Sequence, residues 1–307
     1  AWLIAATTAL LGDHAFGVRA ANLVLAPTAL VFAYLYCRDV FDKTRGLLGA
    51  MLLAVVPAWM ASGFLMTTDA AVMAAWLAAL FFLHRALLGG QPSAWLGVGV
   101  SIGLGALAKY TIVFLGPAAL VFALLHAPAR RALIGWQPWV GALVALALFS
   151  PVLIWNYHNE WASFVFQSTR RISEQPEFTA HWIPLQSVVA LAPLAGLVAL
   201  WLLGPARRRY APDPASRRFM LATTLTPLAV TAAFGTQTEV KAHWVLPMWL
   251  GMLPMLAATI HAPAAAFGTR AQRLLTALWR PLLPLSLAAA GLGLHYVSIG
   301  LPGVQWQ

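Results

Sequence analysis

The segment DAAVMAAWLAALFFLHRALL, residues 69–88, decides the class of fold. It is apolar without interruption from Ala70 to Leu83, and its charged residues lie towards its two ends. A helix that crosses the hydrocarbon core of a bilayer needs about 20 mostly apolar residues, and this segment has that length and composition. It therefore predicts a transmembrane helix that begins at Asp69.

The composition of the whole chain also indicates a membrane protein. Of its 307 residues, 61% are hydrophobic and 9% are charged, and the mean hydropathy is +0.77. A soluble domain carries roughly 25% charged residues, so this chain lacks the polar groups that a water-facing surface needs. The residues behind its net charge of +10 lie in short loops between apolar runs, which argues against a nucleic-acid partner. The single cysteine, Cys37, excludes an internal disulfide and a cysteine-based metal site.

Further apolar runs flank this segment on both sides. They occupy residues 19–38, 45–64, 94–108, 111–126, 132–155, 183–203, 217–235, 243–260 and 281–299. We therefore expect an all-α polytopic membrane protein of about ten transmembrane helices, in a single membrane domain over 1–307 whose transmembrane part spans 19–299. Gly12-Asp13-His14 interrupts residues 1–18, which predict short interfacial helices. Because the chain begins within the apolar pattern and without an initiator methionine, we expect it to be truncated at its N-terminus.

Residues 94–126 form either one long helix or two short helices that turn at Lys109-Tyr110. Lys and Arg favour cytoplasmic loops, so the distribution of the 19 basic residues distinguishes the two arrangements. With two helices, the outer face keeps only Arg19, Lys109, Arg170, Arg171 and Lys241. With one helix the two faces carry 7 and 11 basic residues, and Lys109 stays within the membrane at a cost of about 3 kcal/mol. The hairpin is therefore favoured, and glycines 97, 99, 103 and 105 suit a closely packed helix.

The same topology places most of the acidic residues on the outer face. Asp39, Asp42 and Asp213 are cytoplasmic, whereas the outer face carries Asp13, Asp69, Glu160, Glu174, Glu177 and Glu239. The face that is poor in basic residues thus holds six of the nine acids, and this asymmetry indicates where chemistry takes place.

Two candidate site segments lie where predicted helices reach the outer face. At the first, Thr68 or Asp69 could cap the helix, or the Asp69 carboxylate could bind a metal or orient an acceptor hydroxyl. At the second, Lys109 and Tyr110 occupy the turn of the hairpin. Lys109 suits a lipid phosphate, and the alternative is that its side chain simply extends to the lipid headgroups.

The outer loop over residues 155–182 combines aromatic and polar side chains. Aromatics such as Trp161 alternate with Asn, His and Glu160, which suits a carbohydrate because rings stack on sugar faces while polar groups bind hydroxyls. An aromatic belt at the membrane surface is the alternative. A belt does not explain Arg170 and Arg171, whose guanidinium groups suit a phosphate or pyrophosphate.

A further outer segment places Glu239, Lys241, His243 and Trp244 at the entrance of the predicted helix 243–260. A carboxylate–histidine pair could bind a divalent cation, but two ligands alone leave the metal open, and a solvated loop is the alternative. The sequence contains no glycine-rich phosphate loop and no HExxH, GxSxG or CxxC motif. Beyond a possible divalent metal, no cofactor is predicted.

Five groups of residues, in their order along the chain, resemble the GT-C superfamily of membrane glycosyltransferases. They are Gly12-Asp-His-Ala-Phe-Gly-Val-Arg19, Thr67-Thr-Asp69-Ala70, Leu107-Ala-Lys109-Tyr-Thr111, Ser150-Pro-Val-Leu-Ile-Trp-Asn156 with Glu160-Trp-Ala-Ser-Phe164, and His243-Trp244 with Pro247. The sequence is most similar to the bacterial relatives of dolichyl-phosphate-mannose–protein mannosyltransferases. Those relatives include the aminoarabinose and galacturonic acid transferases that modify lipid A.

The resemblance implies transfer of a sugar from a polyprenyl-phosphate donor to a lipid, glycan or protein acceptor on the outer face of the cytoplasmic membrane. It places the main catalytic base in the first outer loop, before Ala1, with Asp69 as a supporting acid, so this fragment is expected to be inactive alone. The donor phosphate is then expected to contact Lys109, Tyr110, Arg170, Arg171 and Lys241. The substrates are expected to contact Glu160, Trp161, Glu239, His243 and Trp244.

The alternative function is a secondary transporter of a small polar or lipid-like solute. A transporter would place ionisable residues near the membrane midplane and often shows inverted repeats. The centres of the predicted helices carry almost no charge and no repeat is evident, which favours the transferase. A membrane scaffold without chemistry would leave the outer acidic and basic clusters unexplained.

Overall fold

A computed structural model describes residues 2–56, 59–60, 62, 66–166, 178–191, 212–238, 240–261 and the short pieces 284–285, 288–289 and 291–292. Within these ranges the regular structure is helical and contains no β-strand. The all-α prediction is therefore confirmed for the part of the chain that the structure describes.

Most of the longer described helices follow the apolar runs of the sequence, but the helix that begins at Lys43 ends at Ala54, so the predicted run 45–64 is not one continuous helix. The described helices are α1 (Trp2–Leu11), α2 (Ala15–Arg19), α3 (Asn22–Val40), α4 (Lys43–Ala54), α5 (Thr68–Leu87), α6 (Ala94–Ala108), α7 (Leu115–Leu125), α8 (Ala127–Ile134), α9 (Gln137–His158), α10 (Ala162–Val165), α11 (Ile183–Leu191), α12 (Pro214–Phe234), α13 (Ala242–Trp249) and α14 (Leu253–His261). Short 3₁₀ helices at Tyr110–Phe114, Ala180–Trp182 and Leu250–Met252 precede α7, α11 and α14.

Helix α5 lies at the centre of the bundle. It packs against α3 and α6, and its buried side chains include Trp76, Leu77 and Leu80. Of its most apolar stretch 78% is buried, whereas the corresponding fraction for α9 is 6%. The candidate site described below therefore includes the start of the central helix α5, and the turn that contacts the site follows the peripheral helix α9.

Glycines allow helices α6 and α9 to approach each other closely. A Cβ on Gly99 would lie 2.2 Å from the carbonyl oxygen of Gly141, and one on Gly103 would lie 2.8 Å from Cβ of Leu148. These contacts place the start of α6 beside the start of α9, so the two helices are parallel. The chain between them must therefore return to the end where α6 began, which agrees with the hairpin that the charge distribution favours.

The reversal takes place at Lys109, whose backbone is extended (φ −158°, ψ 128°) between α6 and the following 3₁₀ helix. Gly105 makes room for this turn, because a Cβ there would lie 2.3 Å from Cδ1 of Ile112. The sequence pattern thus located both the turn and one of the glycines that permit it.

Three helices are long and apolar enough to cross a membrane: Ala15–Val40, Thr68–Leu87 and Gln137–His158. The other described apolar helices are shorter, so a total of about ten spans stays a prediction. The predicted span 281–299 and the second half of 183–203 lie largely outside the described residues. Likewise, the predicted interfacial position of α1 and α2 is untested, although α1 buries none of its residues and Gly12 separates it from α2 with φ +94°.

The predicted run 132–155 is wrong at its start. The short helix α8 ends at Ile134, Gly135 is extended, and α9 then begins at Gln137. The reason is that Arg130 and Arg131 are exposed on an amphipathic helix whose other side packs through the buried Ala129. Apolarity alone did not separate this short surface helix from the long helix that follows it.

Candidate functional site

Several of the predicted site residues lie at one end of the bundle, where α5 begins, α6 ends and α13 begins. We call this the Asp69 end and define it by Asp69, Lys109 and Trp244. The opposite end carries Asp39 and Arg85, where α3 and α5 finish. The Asp69 end is the one that the charge distribution predicts to face outwards, and that orientation stays a prediction.

Asp69 and Lys109 form an ion pair. Nζ of Lys109 donates to Oδ1 of Asp69 over 2.7 Å, and the two side chains are 15% and 16% exposed. Asp69 lies in the first turn of α5, where the helix dipole favours a negative charge. The extended backbone at Lys109 ends α6 beside that turn.

This pairing excludes two of the alternatives that the sequence leaves open for the individual residues. The residue at the N-cap of α5 is Thr67, which makes no side-chain capping bond, and the carboxylate of Asp69 bonds Lys109 instead. A simple capping role for Thr68 or Asp69 is therefore wrong. The side chain of Lys109 likewise does not extend freely to headgroups, because it is held against α5.

Trp244 adds an aromatic face beside the ion pair. Nζ of Lys109 lies 6.0 Å from the centroid of a Trp244 ring, at the limit of a cation–π contact. His243 precedes it in the first turn of α13, with its ring edge-on to Trp244 at 6.4 Å, and Lys241 occupies the N-cap as an exposed residue. A cation, a carboxylate and an indole ring thus lie together where two helices begin.

Tyr110 connects this group to the turn after α9. Its hydroxyl lies 3.1 Å from Oγ of Ser163, and its ring stacks on Phe164 at 5.6 Å. Glu160 and Trp161 lie in the same turn, and both have left-handed backbones, with φ 51° and 55°. The sequence predicted a site in this loop, but it did not predict the contact with the hairpin turn.

A third segment is fixed beside α12 and α13. The amides of Thr179 and Ala180 donate to the carbonyl oxygen of Gly235 over 2.7 and 2.9 Å, and the Thr179 hydroxyl accepts from the amide of Val240 over 3.0 Å. Thr179 also donates to the carbonyl oxygen of Thr238. These bonds hold the described end of the 155–182 loop against the segment that leads to Lys241.

The structure therefore brings Asp69, Lys109 and Trp244 into one group and links Tyr110 to the Glu160–Trp161 turn. The predicted site residues Arg170, Arg171 and Glu239 lie outside the described residues. No group of three or more His, Cys, Asp and Glu side chains is placed to hold a metal ion in the ranges that the structure describes. Binding of a divalent metal at this site stays a prediction.

The opposite end of the bundle is held by polar contacts that serve packing. Asp39 bonds both Arg38 and Arg85, and Nε2 of His84 lies 3.3 Å from Oγ of Ser216. Asp213 caps α12 by accepting from the amides of Ala215 and Ser216. Burial raises the pKa of Asp213, but the hydrogen bonds from Ser216 and the capping amides outweigh it, so the pKa lies below its ordinary value.

Comparison with known proteins identifies the family. The family described as dolichyl-phosphate-mannose-protein mannosyltransferase matches residues 1–155. An undecaprenyl phosphate-α-4-amino-4-deoxy-L-arabinose arabinosyl transferase of Pseudomonas fluorescens is 27% identical over 88% of this chain and 50% of its own length. The lipopolysaccharide core galacturonosyltransferase RgtA of Rhizobium johnstonii is 25% identical over 94% of this chain and 60% of its own length.

Solved structures show the same fold. ArnT from Cupriavidus metallidurans in the apo state superimposes with a TM-score of 0.68 at 15% identity, over 98% of this chain and 54% of that one. The structure of that protein bound to undecaprenyl phosphate gives a TM-score of 0.69 at 16% identity, over 98% and 55%. The chain thus spans about half the length of the relatives it matches.

These matches agree with the motifs quoted from the sequence and with the helical architecture. The matched region, residues 1–155, contains the Asp69–Lys109 pair, and apolar helices are typical of a multi-pass membrane protein. The resemblance to the GT-C superfamily is confirmed, and the chain belongs to the dolichyl-phosphate-mannose–protein mannosyltransferase family.

Proposed function

We propose that this chain forms part of a glycosyltransferase that takes a sugar from a polyprenyl-phosphate donor. The acceptor is a lipid, glycan or protein at the outer face of the cytoplasmic membrane. The observation that carries the proposal is the Asp69–Lys109 ion pair, held beside Trp244 where α5 and α13 begin. Similarity to an undecaprenyl phosphate-α-4-amino-4-deoxy-L-arabinose arabinosyl transferase and to a lipopolysaccharide core galacturonosyltransferase supports it.

Lys109 is proposed to bind the phosphate that leaves with the lipid. Cleavage of a sugar–phosphate bond develops negative charge on the phosphate, and a preorganised cation stabilises that charge best where water is largely excluded. Lys109 is 15% exposed and is already oriented by Asp69 over 2.7 Å. Lys241, exposed at the N-cap of α13, is proposed to add a second cation together with Arg170 and Arg171.

Asp69 is proposed to act as the supporting acid and to orient the acceptor hydroxyl, while Trp244 offers a face for the sugar. Aromatic rings stack on the apolar face of a sugar, and carboxylates accept hydrogen bonds from its hydroxyls. His243, Glu160 and Trp161 surround this position and are proposed to contact the substrates. The main catalytic base is proposed to lie outside residues 1–307.

The positions of the charged groups favour transfer over transport. The ion pairs of the described residues lie in the first turn of α5 and in the last turns of α3 and α5, and the Asp42–Arg45 pair lies at the start of α4. A transporter would be expected to place such groups near the midplane of the bilayer. Charges at helix ends suit a reaction at the membrane surface.

The test is sugar transfer from a labelled polyprenyl-phosphate donor by the complete protein, including the segment that carries the main base, in proteoliposomes. We expect Lys109→Met to lower kcat by about 100-fold, as removal of one preorganised donor of transition-state charge does in other enzymes. Lys43→Met is the matched control, because Lys43 is exposed at the start of α4 and forms no ion pair within the described ranges. Unchanged transfer by both Lys109→Met and Asp69→Asn would refute this site assignment.

A further inference from the structure

Asn156 is a buried amide in a helix whose other residues, Gly141 excepted, are half-buried or exposed. It is 0% exposed, whereas its neighbours Trp155 and Tyr157 are 53% and 71% exposed. A buried carboxamide is unfavourable unless its polar atoms are bonded, and those of Asn156 are. Nδ2 donates to the carbonyl oxygen of Val152 over 2.9 Å, and Oδ1 accepts from both the amide and the hydroxyl of Ser163, over 3.1 and 2.7 Å.

The backbone of Asn156 closes the same turn. Its carbonyl oxygen accepts from the amide of Asn159 over 3.1 Å and from the amide of Trp161 over 2.8 Å. This turn contains Glu160 and Trp161, which are the non-glycine residues with positive φ in the described part of the chain. A bulky residue keeps such a conformation only where its surroundings hold it there, and Asn156 bonds the turn on both sides of these two residues.

The network continues to the candidate site. Ser163 gives its one hydroxyl hydrogen to Asn156, so the 3.1 Å contact with Tyr110 requires Tyr110 to donate to Ser163. Tyr110 is also fixed by stacking on Phe164. Because Tyr110 directly follows Lys109, these bonds fix the backbone that directs Lys109 towards Asp69.

We infer that Asn156 is a positioning residue of the candidate site. Its carboxamide holds the Glu160–Trp161 turn in its left-handed conformation and, through Ser163, fixes Tyr110 and the backbone of Lys109. Asn156 is fully buried and needs no contact with any substrate for this role. The catalytic consequence rests on the proposed function, whereas the structural consequence does not.

The first measurement is hydrogen exchange of backbone amides in the detergent-solubilised protein, followed by mass spectrometry of its fragmented peptides, which resolves exchange at single residues. In Asn156→Ala the amides of Trp161 and Ser163 should exchange at least about tenfold faster, because local opening exposes them, while amides in α5 keep their protection. Asn159→Ala is the matched control in the same turn, because its Nδ2 makes only an exposed bond to the carbonyl oxygen of Trp155. It should leave the exchange of Ser163 unchanged.

The second measurement is the rate of sugar transfer from a labelled polyprenyl-phosphate donor. Displacement of a binding group by about 1 Å can lower a rate 100-fold, so Asn156→Ala should lower kcat by about 10- to 100-fold. Ser163→Ala and Tyr110→Phe break the same hydrogen bond, so the double variant should be no slower than the slower single variant. Ser163→Thr keeps the hydroxyl and should keep the rate.

The outcomes separate the inference from the proposed function. Unchanged amide exchange in Asn156→Ala would overturn the positioning role whatever the rate. Faster exchange with an unchanged kcat would overturn the link to the site. If Asn156→Ala does not fold, Ser163→Ala supplies the same comparison, and additive effects of Ser163→Ala and Tyr110→Phe would overturn the network. If the unmodified complete protein, with the segment that carries the main base, transfers no sugar, the proposed function fails and the exchange data still decide the positioning role.

Discussion

The Asp69–Lys109 pair should contribute measurably to stability. Loss of one partner of a fully buried ion pair costs about 3–5 kcal/mol, because the remaining charge is left unpaired, whereas an exposed pair contributes about 0–1 kcal/mol. The side chains are 15% and 16% exposed, which is nearer the buried limit. We therefore expect Asp69→Asn or Lys109→Met alone to lower the free energy of unfolding by about 2 kcal/mol.

The double variant distinguishes pairing from independent effects. Asp69→Asn combined with Lys109→Met removes both charges, so its loss should be smaller than the sum of the single losses by at least about 1 kcal/mol. Thermal unfolding in detergent, followed by tryptophan fluorescence, measures this as roughly 2 °C per kcal/mol. Single losses that add to within about 0.5 kcal/mol would show that the two residues do not interact, and the reasoning from their geometry would be refuted.

Four further variants test other parts of the structure. Gly99→Ala should destabilise the protein by about 1–3 kcal/mol, because its Cβ would meet the Gly141 carbonyl. Gly116→Ala, which has open space around it, should stabilise the protein by about 0.5–1 kcal/mol. Equal effects of the two variants in thermal unfolding would contradict the close packing at Gly99. Asp213→Ala should cost about 1 kcal/mol at pH 7. Because the pKa of Asp213 is lowered in the folded protein, its contribution to stability is present above the unfolded pKa and disappears as pH falls through the folded pKa. The free energies of unfolding of wild type and variant should therefore converge in acid. A difference in stability that stays constant with pH would exclude the Asp213 carboxylate as its cause. Glu160→Gly should raise stability by about 1 kcal/mol by relieving the left-handed backbone while lowering transfer, and a loss of stability would show that the turn is not strained.

The sequence was sufficient for the class of fold and for the positions of most helices. Apolar runs identify α3, α5, α6 and α12 to within a few residues, because burial in lipid requires unbroken apolarity. The separation of α8 from α9 was missed, since it depends on which side of a short helix meets the bundle. That information is not contained in the apolarity of the run.

The sequence identifies several residues of the candidate site but does not predict which of them contact one another. Asp69 and Lys109 were both identified, but they are 40 positions apart and no local pattern announces their ion pair. Asn156 and Ser163 belong to the motifs of the sequence, but the sequence pattern does not predict a contact between them. Asn156 lies near the end of an apolar helix, seven residues before Ser163. Because Asn and Ser side chains often bond nearby backbone groups, this spacing could have indicated a turn closed by hydrogen bonds between them.

Helix α9 has only two buried residues, Gly141 near one end and Asn156 near the other. Its remaining length presents apolar side chains such as Leu143, Leu146 and Ile154, which suit contact with lipid chains. A helix in that position adjusts its tilt to the thickness of the hydrocarbon layer. Because the Glu160–Trp161 turn follows directly from its end, the acyl-chain length of the surrounding lipids should alter where that turn lies relative to Lys109. The thickness of the membrane is thereby expected to act on the site through α9.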